Sequence, residues 1–174
     1  REDAGAASHL LPAGLLFEVR AAAVDSGAVR EAAAAARSTL AGLMPRPDPG
    51  ARLPVRAAWS ALHLHRAEYF TLFGLHDLAA AEGRRALAWL PGQAVAWYNL
   101  GYNLVNLARP DEAAEALRAA LDVDENVTGP RTLLAHLALA AGDRTAAAAW
   151  VRDELARHPD DPQARALADF LAGR

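Results

Sequence analysis

The amino-acid sequence predicts an all-α fold, an α-solenoid of stacked antiparallel helix pairs closed by a C-terminal capping helix. Three observations carry this expectation. The first is a period of about 34 residues, with windows Ser60 to Gln93, Ala94 to Val127 and Thr128 to Asp161 following one another without gaps. The second is what coincides when those windows are aligned: Gly74, Ala108 and Gly142, then Ala79, Ala113 and Ala147, then Leu87, Leu121 and Leu155. The third is composition. Of 174 residues 53% are hydrophobic but only 6% aromatic, so most of the apolar content is alanine, which favours helix and lets helices approach closely. A helix pair of this size cannot bury its apolar faces alone, and stacking on its neighbours completes the core.

Residues 1–12 show no periodicity and read as a flexible N-terminal segment. Residues 13–45 read as a degenerate helix pair. Its first helix would come from Leu15 to Val24, and Gly27, Ala32 and Leu40 repeat the spacing of Gly74, Ala79 and Leu87 in its second. Residues 46–54 form a loop, because Pro47 and Pro49 forbid a continuous helix, and this loop breaks the phase of the repeat. Three repeats follow at 55–93, 94–127 and 128–161. In each, a small residue lets the chain turn between helices, and Asp77, Asp111 and Thr145 stand where a side-chain oxygen would cap the second helix. The segment 162–174 opens on Asp161-Pro162 and carries Ala164, Leu167, Ala168 and Leu171 as an amphipathic stripe, as a solvating cap requires.

The middle repeat resembles the tetratricopeptide (TPR) family. It reads Trp97-Tyr98-Asn99-Leu100-Gly101, with Leu104, Ala113 and Leu117 in the family's Tyr, Ala and Phe places. The last repeat keeps Leu134, Gly142, Ala147 and Pro159 but has Arg131 for the Trp and Ala135 for the Gly. The repeat at 55–93 has His63 and Arg66 where the family is apolar, which predicts a first helix that begins early or is rotated to bury Trp59, Leu62, Tyr69, Phe70 and Phe73. The resemblance implies a right-handed solenoid whose first helices line a concave, partner-binding surface.

Composition narrows the function. A net charge of −3 without a basic run disfavours nucleic acid, and no apolar window is long enough to span a bilayer. The absence of cysteine removes disulfides, thiolate zinc sites and cysteine nucleophiles. His63, His65 and His76 are close in sequence but not at the spacing that puts ligands on one helix face, so no metal site is expected. No phosphate loop, nucleophile elbow or His-Glu-x-x-His helix occurs, so neither an enzyme nor a cofactor is expected. The chain reads as soluble. A cytoplasmic location is preferred, and the Arg1 start leaves open an exported mature form or a module of a larger protein. Its alanine and arginine content points to a GC-rich bacterial genome.

What remains is binding to a protein or peptide. Tyr98, Asn99, Tyr102, Val105 and Asn106 recur at helical spacing opposite Trp97, Leu100 and Leu104, and offer aromatic area and amides to a partner's backbone. The equivalent places hold His65, Glu68 and Leu72, with Leu64 and Thr71, in the preceding repeat. In the last repeat they hold Thr132 and His136, with Leu133 and Leu139. Chaperone-binding members of the family clamp a C-terminal carboxylate with basic and Asn residues. Asn99 occupies one such place, but Leu64, Glu68, Gly129 and Leu133 occupy the others, which argues against acidic chaperone tails. Self-assembly into a homo-oligomer is the alternative, as is a regulatory or sensor role within a larger protein.

Overall fold

A computed structural model describes residues 9–13, 16–20, 25–40 and 45–173. A short hairpin, β1 (His9–Ala13) and β2 (Leu16–Arg20), precedes eight helices: α1 (Ser26–Leu40), α2 (Leu53–Leu72), α3 (His76–Trp89), α4 (Ala94–Asn106), α5 (Pro110–Val123), α6 (Pro130–Ala140), α7 (Arg144–Arg157) and α8 (Pro162–Leu171). The principal helix contacts are between α2 and α3, α4 and α5, and α6 and α7, joined in series by α3 against α4, α5 against α6 and α7 against α8. This is an α-solenoid.

The hairpin corrects one expectation. Residues 16–20, read as part of a first helix, form a strand antiparallel to β1, with Ala13 opposite Leu16 and His9 opposite Arg20. Glu18, Val19 and Arg20 alternate polar and apolar with period two, and two residues separate the paired ends, the commonest hairpin spacing. The flexible segment expected at 1–12 therefore ends in β1. Its first eight residues lie outside the described residues.

The three aligned turn residues share one conformation. Gly74, Ala108 and Gly142 have φ of 68°, 55° and 82°. Each donates its N–H two positions into the preceding helix end, to Thr71, Val105 and Leu139, while the next residue's N–H reaches Phe70, Leu104 and Ala138. These are three Schellman motifs, which satisfy the orphan carbonyls and demand a left-handed residue. Capping at the following N-termini differs from the sequence reading. Asp77, Asp111 and Thr145 lie inside the first turn of their helices, and the N-cap positions belong to Leu75, Arg109 and Asp143. Among these three only Asp143 caps through its side chain, to Ala146 N. Asp77 and Asp111 place negative charge at the positive helix end instead.

Ala79, Ala113 and Ala147 are fully buried where paired helices meet. Helices α4 and α5 leave no room for a side chain at Gly101, where a Cβ would stand 2.7 Å from the Leu117 side chain. Val29 and Ala33 of α1 pack on Phe70, Leu75, Leu78 and Ala79, and Arg30 adds a forked ion pair to Asp77 at 2.8 and 2.9 Å.

Helix α2 begins seven residues before the aligned window, but it is not rotated away from it. His63 and Arg66 are buried, and Trp59 and Leu62, expected in the buried stripe, are only half-buried. The Glu82 carboxylate makes this possible: it lies 2.6 Å from His63 Nδ1, 3.6 Å from Arg66 Nε and 2.7 Å from Arg85. In the last repeat Arg131, also in the Trp place, is buried and pairs with Asp153, with Glu154 3.8 Å away. Only the middle repeat keeps the apolar arrangement, with Trp97 packed against the core and its indole N–H donating to Pro91 O at 2.8 Å.

Candidate functional site

The first helices α2, α4 and α6 lie side by side, α4 touching both neighbours. Helix α4 carries no charged residue from Ala94 to Asn106, so its exposed side is read through Asn99, Tyr102 and Asn106. Hydrogen bonds tie this side to α2. The Glu68 carboxylate sits 3.3 Å from His65 Nδ1 and 3.5 Å from the Asn99 amide nitrogen. Tyr102 is exposed and meets the His76 ring edge-on at 6.3 Å, and the Asn106 amide donates to Tyr102 O at 2.9 Å. Leu72 is 84% exposed at the end of α2, an apolar side chain with nothing of the protein over it. His136 is exposed on α6.

Two residues expected on this surface belong to the interior. Thr132 is buried, and Val105 is half-buried against the Leu100 and Leu104 core. The turn before α6 draws Pro130, Arg131 and Thr132 inward together, which the repeat alignment does not reveal. Asn103 was not anticipated. Buried on α4, its Oδ1 lies 3.0 Å from the Thr71 hydroxyl and 2.9 Å from His76 Nδ1, which therefore carries the proton, and its amide donates to Asn99 O at 2.7 Å. Asn103 fixes α4 to α2 and to the start of α3 beneath the exposed row. The signal was in the sequence: a polar residue four after Asn99, between the apolar places of Leu100 and Leu104.

Tyr98 is half-buried and forms one wall of a cleft of ≈ 580 Å³, faced by Thr128 and Gly129 before α6, Arg157 and His158 after α7, and Asp161 before α8. Gly129 is required there on two counts: its φ is 105°, and a Cβ would stand 2.8 Å from the Tyr98 ring. Burial pushes the Tyr98 phenol up from its ordinary pKa, and nearby Tyr102 and Asp161 push it the same way. Arg157 is held by Glu125 and Asp153, and Asp161 accepts from the Gln163 and Ala164 N–H groups of α8. The charges in the cleft are therefore already partnered. Among the described residues no group of three or more His, Asp or Glu side chains is gathered as a metal would need, and no helix is long and apolar enough to cross a membrane.

The fold and this polar row, uncharged on α4, define a helical-repeat protein with an open side-by-side array of first helices. No protein-family model and no curated protein matches the chain. Solved structures do. The Arabidopsis OM64 TPR domain superposes with a TM-score of 0.66 at 14% identity, covering 68% of this chain and 98% of that one. The first TPR domain of Spaghetti (RPAP3), bound to the HSP90 peptide SRMEEVD, gives 0.64 at 12% identity over 75% of this chain and 97% of its own. MamA gives 0.64 at 13% identity over 85% and 72%. The fold of this chain is thus the tetratricopeptide-repeat fold.

Proposed function

We propose that this protein is an interaction scaffold, not an enzyme, and that it takes a segment of a partner protein along the exposed row of α2, α4 and α6. The observation that carries the reading is the set of polar and aromatic side chains on α4, Asn99, Tyr102 and Asn106, presented without a single charge and held by the Asn103 hydrogen bonds beneath. A preorganised surface of this kind loses little side-chain entropy on binding. Similar folds support it: one RPAP3 domain is bound to an HSP90 peptide and the second human RPAP3 domain is in complex with the HSP70 peptide SGPTIEEVD. Here Glu68 faces Asn99, so an acidic peptide of that kind would be repelled. The test is display of proteome fragments against the whole chain. Fragments retained by the wild type should be lost by Asn99→Ala and Tyr102→Ala variants that unfold at the wild-type temperature. Full retention by both would move the site elsewhere.

A second reading, self-association, is favoured by the largely apolar groove between α7 and α8, where Val151, Leu155, Ala168 and Leu171, with Arg152, line ≈ 410 Å³. Light scattering that gives a concentration-independent monomer would end it.

A further inference from the structure

The Tyr98 cleft has a counterpart one repeat earlier. A second cleft, of ≈ 640 Å³, is lined by Leu64, Val95, Val123 and Val127, with Gln93 and Asp124 also on its wall. Adding the repeat length of 34 residues to the numbers of the four aliphatic residues gives Tyr98, Gly129, Arg157 and Asp161, all in the Tyr98 cleft. The repeat has therefore built the same recess twice, each time between a first helix and the connection that leads out of the next helix pair. The linings differ in character. The earlier cleft presents four aliphatic side chains, with Val95 and Val123 52% and 42% exposed, and the exposed Asp124 carboxylate beside them. The later one presents a phenol and a hydroxyl, and its charges are satisfied internally. Among the described residues the Tyr98 and Thr128 hydroxyls and the Gln163 carboxamide make no hydrogen bond with the protein.

We infer that the two clefts form a bipartite reader for one extended segment of a partner protein, an aliphatic side chain entering the Leu64 cleft and an uncharged hydrogen-bonding side chain (Ser, Thr, Asn or Gln) entering the Tyr98 cleft. This rests on the proposed scaffold role and specifies what the scaffold recognises. An acidic side chain is excluded from either recess. In the Leu64 cleft it would lose hydration to aliphatic walls and face the Asp124 carboxylate, and in the Tyr98 cleft no unpaired counter-charge is left to receive it. Spacing follows from packing. Neighbouring helices lie about 8–10 Å apart and an extended chain advances about 3.3 Å per residue, so the two anchors are separated by about three residues.

The experiment is selection of a random dodecapeptide library on the whole chain, followed by binding of the enriched peptides to variants. The enriched sequences should carry an aliphatic residue and an uncharged polar residue at that spacing, without acidic residues at either anchor. Val95→Glu, on an exposed position, should weaken them at least ten-fold, and so should Tyr98→Ala. Thermal unfolding of each variant excludes a general loss of structure. Enriched peptides that need Asn99 and Tyr102 but ignore Val95→Glu would overturn the two-cleft reader and leave the scaffold standing. A library that enriches nothing overturns both. Concentration-dependent self-association abolished by Val95→Glu would assign the clefts to a second copy of the chain and overturn the reader as well.

Discussion

Replacing Glu82 with alanine is expected to cost about 3–5 kcal/mol of folding stability, the range for removing one partner from a buried charge network. The size follows from what would be left behind. His63 and Arg66 have side chains only 4% and 8% exposed, so neither can turn to water once the carboxylate is gone. Arg85 shares the same carboxylate at 2.7 Å but is 45% exposed, and Arg85→Ala should cost no more than about 1 kcal/mol. Urea unfolding followed by far-UV circular dichroism near neutral pH gives both numbers on one scale. Acid adds an independent check. Burial alone would raise the Glu82 pKa, but the His63 hydrogen bond and the Arg66 and Arg85 charges outweigh it, so the carboxyl titrates below its ordinary value. The folded state then binds fewer protons than the unfolded one. The contribution is complete above the unfolded carboxylate pKa and is lost as pH falls through the folded value. The stability gap between wild type and Glu82→Gln should therefore close in acid. A cost for Glu82→Ala no larger than that of Arg85→Ala would refute the claim that this network anchors α2 to α3.

Ala108 adopts φ of 55° in a place where Gly74 and Gly142 stand in the other repeats, so Ala108→Gly should stabilise by about 0.5–1 kcal/mol, read as a raised Tm. Gly101→Ala places a Cβ 2.7 Å from Leu117 and 3.4 Å from Ala113 O, and overpacking should cost about 1–3 kcal/mol in the same assay. An unchanged midpoint would mean that α4 and α5 can separate freely. Glu154 is the opposite of Glu82. Burial pushes its carboxyl up, against weaker pulls from the Gly129 N–H, His158 and Arg131. The fold then holds more protons than the unfolded chain, so stability should fall as pH rises from the unfolded carboxylate pKa through the raised folded one. Glu154→Gln should flatten that fall in unfolding free energy measured against pH, and an unaltered slope would contradict it.

The two unlike carboxylates show where sequence reading stops. His63 and Arg131 were visible as departures from an apolar place, but their partners lie 19 and 22 residues away on the second helix of the pair. Nothing in the periodicity marks Glu82 or Asp153 as compensating rather than solvated. For that reason the sequence left α2 either starting early or rotated, and the fold takes the first: the helix starts early, keeps its face and buries the charges together. Thr132 and Val105 failed as surface residues for a related reason. Helical spacing assigns a face only to a straight helix against one neighbour, and each of these helices has a neighbour on both sides.

By itself the sequence determined the helix pairs, the small-residue turns and the buried alanines, because each rests on local chemistry repeated at a fixed interval: a left-handed cap, a proline at a helix start, a side chain small enough for close approach. Only the tertiary structure decided which polar residues are paired in the interior, that residues 9–13 and 16–20 pair as antiparallel strands, and that two recesses of different lining stand one repeat apart. Those depend on side chains from three or more helices meeting in space, and a one-dimensional period carries no term for that meeting.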